Sequence, residues 1–280
     1  MGWIIGIIVA VIFLSAYVFA VLPNLSRKKE TMEFTHWNYA HRGLWDEEKG
    51  IPENSIPAFR RAADAGFGIE LDVHLTRDRQ LVVFHDNSLE RMCGVDQKIE
   101  ECTLEELRRQ KLGSSKYGIP LLSEVLETVN GRVPLLIEIK MPGKDPYVCA
   151  ELERQMEQYS GTYCMESFNS LALRWFRENR PDVIRGQLST KFRARDGQSF
   201  FLRFLARGLM LNFVGRPDFI AYDHRYADCM GFLINRVLCR IPAFAWTIRS
   251  QAAYDRCRKN HFDTVIFEQF LPKKQKKKER

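Results

Sequence analysis

Short apolar runs alternate with amphipathic stretches from residue 37 to residue 268, and this alternation restricts the possible folds more than any other feature of the chain. The amphipathic stretches, such as 55–66 and 170–179, carry apolar residues at helical spacing. Repeated strand–helix units are typical of parallel sheets. Nine candidate strands in 280 residues therefore predict an α/β fold, a distorted (β/α)8 TIM barrel rather than an open sheet. The predicted strands are 37–41, 68–73, 81–85, 134–140, 162–168, 183–188, 219–223, 242–248 and 264–268.

Two irregularities predict where the barrel is distorted. The segment between Val73 and Leu81 is too short for a parallel crossover, which needs about a dozen residues. Either the second and third strands form a hairpin-like pair, or one strand lies outside the barrel wall. The stretch 87–120 lacks a strong strand but contains a capping-box spacing, Thr103 with Glu106, that predicts a helix start. We interpret 87–120 as a small inserted segment above the barrel mouth.

The first segment of the chain, residues 2–22, carries no charge and is long enough to cross a hydrocarbon core of ~30 Å. It predicts one N-terminal transmembrane helix, within an anchor that spans 1–26. A cleaved signal peptide is the alternative, but such peptides have a basic first region and a shorter apolar stretch. Because Arg27, Lys28 and Lys29 follow the apolar segment, the positive-inside rule predicts a single-pass membrane protein with residues 27–280 on the cytoplasmic side. The expected divisions after the anchor are a linker at 27–36, the barrel at 37–272 and a polybasic tail at 273–280.

Charge and cysteine usage narrow the classes of partner and site. The last eight residues hold six basic side chains and Glu279, which is +5 of the formal charge of +7. The rest of the chain is nearly neutral, so a nucleic-acid partner is not expected. The tail either faces anionic membrane lipid or is a solvated, disordered end. Seven dispersed cysteines without a CxxC pair suggest free, buried thiols in a reducing compartment rather than a disulfide framework or a zinc site.

Polar side chains within or at the ends of apolar strands are candidates for chemistry, because a buried carboxylate without a partner is costly. Glu70 and Asp72 alternate along one strand and so point to the same face, as do Glu138 and Lys140 on another. Two His-containing pairs, His41-Arg42 and His85-Asp86, end two further strands.

If these faces are shared, three carboxylates meet in one barrel mouth, where their repulsion raises their pKa values unless a cation lies among them. Hard oxygen ligands favour a divalent metal, Mg²⁺ or Ca²⁺, over zinc. The alternative is a set of buried ion pairs with Lys140 and Arg42. Two histidines supply a proton acceptor and a proton donor, and Arg42 offers a planar fork for phosphate. Together these groups indicate phosphodiester cleavage.

These residues lie within an ordered set of motifs along the chain: HRG at 41–43, PENS at 52–55, ELDV at 70–73, TRD at 76–78, VVFHD at 82–86 and IEIK at 137–140. They resemble the glycerophosphodiester phosphodiesterase family. Weaker matches, among them TLEEL at 103–107, ESF at 166–168 and AWTI at 245–248, extend the resemblance over nearly all of 39–272.

The resemblance implies a barrel of the phosphatidylinositol phospholipase C type that hydrolyses glycerophosphodiesters to glycerol 3-phosphate and an alcohol with a divalent metal. It implies these roles: metal ligands Glu70, Asp72 and Glu138; general acid and base His41 and His85; phosphate-binding groups Arg42 and Lys140; and supporting residues Glu53 and Asn54. Asn54 is expected to cap the first barrel helix and to brace the His41 loop. Trp246 matches the aromatic residue that forms a wall beside the glycerol group in the family. The alternative is that Trp246 is an ordinary tryptophan of the core.

The chain departs from the family pattern near its C-terminal end, where 260–262 lack the usual Gly and Phe267-Glu268 replace Thr-Asp. We expect this departure to affect the substrate wall and not the metal or the histidines. We also expect His74 to lie at its strand end, outside the site.

Two other functions remain open. One is a lysophospholipase D type activity on a lysophospholipid substrate, favoured by the anchor and by the apolar stretch 200–215. That stretch is either a membrane-facing amphipathic segment or two ordinary barrel helices. The other is a non-catalytic barrel that binds lipid head groups, a role that does not need paired proton-transfer groups.

Overall fold

The structure is a computed structural model that describes residues 2–193, 199–260 and 262–273. In these ranges the chain forms one sheet of nine strands. The strands are β1 Tyr39–Ala40, β2 Gly68–Leu75, β3 Leu81–Val83, β4 Leu135–Ile139, β5 Tyr163–Ser167, β6 Arg185–Ser189, β7 Phe219–Asp223, β8 Ala243–Ile248 and β9 Thr264–Phe267. Every predicted strand is present.

Eight of these strands are parallel and close into a barrel. Parallel neighbours run from β2 through β4 to β9 in chain order, and β1 pairs with both β2 and β9. The (β/α)8 prediction is confirmed.

The predicted distortion lies between β2 and β3. β3 is antiparallel to β2, with Val73 opposite Val83, and it lies outside the closed wall. A tight turn joins the two strands, with the Thr76 backbone N–H donating to the Gln80 carbonyl over 2.9 Å. Both predicted alternatives are therefore present: β2 and β3 form a hairpin-like pair, and β3 lies outside the barrel wall.

Helices surround the barrel. The helices are α1 Gly2–Val21, α2 Lys28–Phe34, α3 Ile56–Asp64, α4 Glu90–Cys93, α5 Leu104–Arg108, α6 Leu122–Val129, α7 Tyr147–Met156, α8 Ser170–Asn179, α9 Phe200–Arg207, α10 Asn212–Gly215, α11 Met230–Leu233 and α12 Gln251–Lys259. A π-helical turn, Ile234–Leu238, continues α11.

The stretch 87–120 packs around a small apolar core of its own against β3. That core includes Val82, Phe84 and Leu107, all buried. Thr103 and Glu106 form the expected capping box at the start of α5, since the Thr103 side chain accepts from the Glu106 backbone and the Glu106 carboxylate from the Thr103 backbone.

The segment predicted as a linker, 27–36, contains a helix. α2 carries Phe34, which is buried against residues at the starts of the strands, including Tyr39, Phe219 and Phe244. The Tyr39 hydroxyl donates to the Phe34 carbonyl over 3.0 Å. α2 therefore closes the end of the barrel opposite the mouth, because the interior core between the strand starts needs an apolar cover.

This packing predicts that α2 contributes to the stability of the barrel. Phe34→Ala removes a buried aromatic side chain, and the free energy of unfolding is expected to fall by about 3 kcal/mol. Met32→Ala, on an exposed side of the same helix, is expected to change it by less than ~0.5 kcal/mol. Chemical denaturation of the full chain in detergent measures both. Equal, small effects would show that α2 acts only as a linker.

The apolar helix α1 has the length and composition of a membrane span. Its mean hydropathy is 2.9 over 18 residues and only 6% of that window is buried, although a signal sequence also meets these criteria. All seven cysteines lie in the described ranges and are free; four are buried as predicted, and Cys93, Cys229 and Cys239 are partly exposed. Most of the polybasic tail, 274–280, lies outside the described residues.

Candidate active site

A cavity of about 270 Å³ opens at the barrel mouth, where the carboxyl ends of the parallel strands meet. It is lined by His41, Arg42, Glu70, His85, Glu138, Glu166, Phe168, Leu188, Arg225, Trp246, Thr247, Arg249 and Ile266. This end of a barrel collects side chains from several strands, so residues far apart in sequence become neighbours there.

Strand register brings the predicted carboxylates together. Asp72 on β2 pairs with Glu138 on β4, and Glu138 pairs in turn with Glu166 on β5. Carboxylate oxygens of Glu70, Asp72 and Glu138 lie within 4.8 Å of one another. Glu166 extends this row of carboxylates by one strand and is also buried. It belongs to the motif ESF, for which the sequence predicted no role in the site.

Two cations contact the cluster. The Lys140 ammonium lies 2.8 Å from Asp72 Oδ1 and 2.6 Å from Glu138 Oε1. The Arg42 backbone N–H donates to Glu70 Oε2 over 2.8 Å, and its guanidinium Nε lies 3.7 Å from Asp72 Oδ2. The ion pairs considered as an alternative to a metal are therefore present.

These ion pairs do not balance the cluster, because four buried carboxylates face two cations. Burial and the neighbouring carboxylates raise the pKa of Glu70 and of Glu166 well above the usual range, and burial raises the pKa of Glu138 to about 7. Although burial opposes it, Lys140 holds the pKa of Asp72 well below its usual value. Glu166 Oε2 has no hydrogen-bond partner among the described residues. A divalent cation with oxygen ligands would relieve the repulsion that raises these pKa values.

His41, which follows β1, is paired with a carboxylate at the last strand. Its Nδ1 donates to Glu268 Oε2 over 2.5 Å, and Arg249 Nε donates to the other Glu268 oxygen, also over 2.5 Å. Burial and Arg42 lower the pKa of His41, and Glu268 acts in the opposite direction. The expectation that the departure at Phe267-Glu268 leaves the histidines untouched is wrong, because barrel closure places β9 beside β1.

His85 is also paired with a carboxylate, which belongs to the next residue in sequence, Asp86. Its Nδ1 donates to Asp86 Oδ1 over 2.6 Å, and Arg91 holds Asp86 Oδ2 over 2.5 Å. Burial and Lys140 lower the pKa of His85 to about 4. The buried His74, expected outside the site, contacts the backbone carbonyl of His85 over 3.2 Å and so supports the site indirectly.

The loop that carries His41 and Arg42 is held in an unusual backbone conformation. Gly43 has φ +82°, and a Cβ there would lie 2.9 Å from Ala58, so this close approach requires glycine. The Asn54 backbone N–H donates to the Arg42 carbonyl over 2.9 Å, which braces the loop as expected. The prediction that Asn54 caps α3 is wrong, because Ser55 is the N-cap. The left-handed conformation of Asn54, φ +50°, instead directs its amide to Asp72 Oδ2 over 2.8 Å.

Glu53 and Trp246 occupy different edges of the site. Glu53 accepts from both Arg42 (2.9 Å) and Arg91 (2.6 Å), which links the His41 loop to the His85 loop. Trp246 lines the cavity and meets Phe168 edge-on at 5.7 Å. Its indole Nε1 has no hydrogen-bond partner among the described residues, unlike an ordinary satisfied core tryptophan.

Six of the predicted site residues line the cavity, and the other four contact a lining residue: Asp72, Glu53 and Asn54 contact Arg42, and Lys140 contacts Glu138. The structure adds four residues for which the sequence predicted no role in the site, Glu166, Glu268, Asp86 and His74. Asp86 and Glu166 lie within quoted motifs, and Glu268 lies at the noted departure. Two histidine–carboxylate pairs beside an acidic cluster can transfer protons on two sides of a bound phosphate.

Comparison with known proteins agrees with this geometry. Residues 41–270 match the model of the Glycerophosphoryl diester phosphodiesterase family. A glycerophosphodiester phosphodiesterase of Caldanaerobacter subterraneus is 37% identical over 164 residues, which is 53% of this chain and 65% of that protein. A human lysophospholipase D is 31% identical over 140 residues, 45% of this chain and 43% of that protein. The chain therefore aligns with less than two thirds of the length of either relative.

The fold is shared with solved structures. A phosphodiesterase of Oleispira antarctica, solved in complex with the product sn-glycerol-3-phosphate, superimposes with a TM-score of 0.68 at 22% identity. The match covers 85% of this chain and 94% of that one.

Proposed function

Because the chain belongs to the glycerophosphoryl diester phosphodiesterase family, we propose that it is a phosphoric diester hydrolase that converts glycerophosphodiesters to sn-glycerol 3-phosphate and an alcohol. The observation that carries this proposal is the pairing of each cavity histidine with its own carboxylate beside a charge-unbalanced acidic cluster. A barrel that only binds head groups has no use for two such pairs.

Glu70, Asp72 and Glu138 would hold a divalent metal, Mg²⁺ or Ca²⁺, which when bound supplies Lewis-acid stabilisation of the phosphoryl oxygens. Arg42 and Lys140 add positive charge at the same place. Asn54 and the Arg42 backbone hold two of these carboxylates in position through the hydrogen bonds described above.

His41 and His85 would divide the proton transfers. Each Nδ1–H is held by a carboxylate, so Nε2 is the nitrogen available to the substrate. One histidine assists the attacking oxygen, and the other protonates the leaving alkoxide, which is a poor leaving group at neutral pH. The Trp246 indole and Phe168 would form an apolar wall beside the glycerol group.

Activity assays on purified full-length protein test the proposal. Glycerophosphocholine and glycerophosphoethanolamine, each with Mg²⁺, Ca²⁺ or chelator, should release sn-glycerol 3-phosphate only when a divalent ion is present. Absence of hydrolysis with every ion would contradict the function. Hydrolysis that persists in chelator would contradict the metal site alone.

Glu268→Gln is expected to shift the pH profile of kcat/KM. Glu268 acts to raise the pKa of His41, so loss of its charge lowers that pKa further. The limb of the profile that His41 governs should therefore move to lower pH, whether His41 acts as acid or as base. The exposed Glu178→Gln, on α8, is the control and should leave both limbs in place. An unshifted profile would mean that Glu268 only fills space.

A second substrate class, lysophospholipids, is favoured by an aromatic row that leads out of the cavity. Trp246 contacts Phe168 at 5.7 Å, and Phe168 contacts Phe192 at 5.9 Å, in the loop after β6. Such a row suits an acyl chain, and a relative carries the name lysophospholipase D. Hydrolysis of lysophosphatidylcholine to a lysophosphatidic acid and choline would support this activity.

We also propose that α1 is an uncleaved anchor that holds the barrel at a membrane, with the catalytic domain and the polybasic tail on the cytoplasmic side. The apolar length of α1 and the Arg27-Lys28-Lys29 flank support this arrangement. Protease added outside intact cells should leave the barrel uncut and cut it after lysis. Digestion in intact cells would reverse the orientation.

A further inference from the structure

The opening of the cavity carries two arginines to which the proposed function gives no role in substrate binding. Arg225, in the loop after β7, and Arg249, directly after β8, both line the cavity. Their side chains are 56% and 55% exposed. Those of Arg42 and Lys140, the cations beside the acidic cluster, are only 14% and 13% exposed. Because β7 and β8 are neighbours, the two arginines lie on one side of the opening, farther out than the cations of the cluster.

Each of these arginines is held in place by a carboxylate. Arg225 donates from Nε and Nη2 to Asp223 over 3.0 and 2.8 Å, and Arg249 donates from Nε to Glu268 over 2.5 Å. Both carboxylates are buried, so each ion pair presents its positive member to the opening. Among the described residues, no other hydrogen bond engages Arg225 Nη1 or the Nη atoms of Arg249. The guanidinium groups are therefore preorganised and keep N–H donors for an anion.

A third cation lies beside Arg225. The ammonium of Lys191, an exposed residue in the loop after β6, is 5.6 Å from the centre of the Tyr226 ring, and the Arg225 guanidinium is 5.4 Å from the same centre. The loops after three consecutive strands, β6, β7 and β8, thus each contribute one cation. We call Lys191, Arg225 and Arg249 the rim cations. A cleft edged by charges of one sign attracts a ligand of the opposite sign.

The chemistry of a glycerophosphodiester indicates which of its groups the rim cations meet. In the proposed mechanism the phosphate contacts the metal, Arg42 and Lys140, and the glycerol group carries only hydroxyls. The alcohol is the variable part of such a substrate and the part that can carry a second anionic group. Cations that are more than half exposed at the opening suit a group at the outer end of that alcohol. A cationic alcohol would bring like charges together there, which is unfavourable.

From this geometry we infer that Arg225 and Arg249, with Lys191 beside them, bind an anionic group, a carboxylate or a phosphate, on the alcohol part of the substrate. The site therefore prefers glycerophosphodiesters with an acidic alcohol over those with a neutral or cationic one. Guanidinium groups form paired hydrogen bonds with either kind of anion. The inference rests on the proposed phosphodiesterase function and names the substrate class of the same site.

Two matched pairs of soluble substrates test the inference on the full-length protein. Glycerophosphoserine differs from glycerophosphoethanolamine by one carboxylate, and glycerophosphoinositol 4-phosphate differs from glycerophosphoinositol by one phosphate. In at least one pair, kcat/KM is expected to be roughly tenfold higher for the acidic member, about the contribution of one charge-assisted hydrogen bond. R225Q and R249Q should each lower that ratio towards one. R174Q, which removes an exposed arginine paired with Glu178 on α8, is the control and should keep the ratio.

The ratio separates recognition of the alcohol from support of catalysis. Arg249 also holds Glu268 beside His41, and loss of that support alone would lower kcat/KM equally for both members of a pair. A ratio near one for both pairs in the parent protein would overturn the inference, as would a ratio that R225Q and R249Q leave unchanged. Calorimetric titration of the same compounds into H85A compares affinities without turnover. Equal affinities there would overturn the inference, whereas absence of hydrolysis in the parent protein would contradict the proposed function.

Discussion

Replacing either cavity histidine by alanine is expected to lower kcat by roughly 10²- to 10⁴-fold, with a smaller effect on KM. His41 and His85 each present one ring nitrogen to the cavity while a carboxylate holds the other. In the proposed mechanism, each substitution removes a proton donor or acceptor that the transition state needs and the ground state does not. Steady-state kinetics on glycerophosphocholine measure the loss.

The two losses should not multiply in the double variant, because in the proposed mechanism the histidines act in one concerted unit. A substrate with a p-nitrophenol leaving group should restore the rate only in the variant that lacks the general acid. His224→Ala is the matched control, because this half-buried histidine does not line the cavity. Near wild-type rates for both H41A and H85A would remove the proton-transfer roles and favour a barrel that only binds head groups.

Glu70→Gln is expected to weaken divalent metal binding by more than ~100-fold and to raise the Mg²⁺ or Ca²⁺ concentration needed for half-maximal activity. The substitution keeps the shape of the side chain but removes one negative charge and one carboxylate oxygen. Titration calorimetry with each ion measures the affinity directly. Because the effect is on affinity, part of the activity should return at high metal concentration.

Glu151→Gln provides the matched control, because Glu151 is a similarly buried glutamate on α7, paired with Arg154 and distant from the cavity. It should leave both affinity and activity unchanged. Unchanged metal affinity in E70Q would mean that the carboxylates are balanced by Lys140 and Arg42 alone, and the ion-pair alternative would then hold.

Local patterns in the sequence were sufficient for much of the barrel and part of the site. The alternation of strands and helices predicted a parallel barrel, and the short 74–80 segment predicted its distortion, because both depend on chain length and on side-chain periodicity. Two-residue spacing placed Glu70 with Asp72, and Glu138 with Lys140, on shared faces. A carboxylate in a buried strand is conspicuous because of its desolvation cost.

Contacts between distant segments required the tertiary structure. Glu268 reaches His41 across 227 residues because β9 pairs with β1 to close the barrel, a pairing that no local pattern encodes. Glu166 joins the acidic row only through the β4–β5 register.

The sequence by itself determined the strands, the apolar helix and the shared strand face of Glu70 and Asp72, since each follows from periodicity or composition over a few residues. The tertiary structure alone decided that α2 closes the barrel, that Asn54 turns away from a helix cap to hold Asp72, and that Asn212 fixes the end of α1 to the barrel. These features depend on which surfaces meet when the barrel closes, and the free energy of that packing is distributed over residues far apart in the chain.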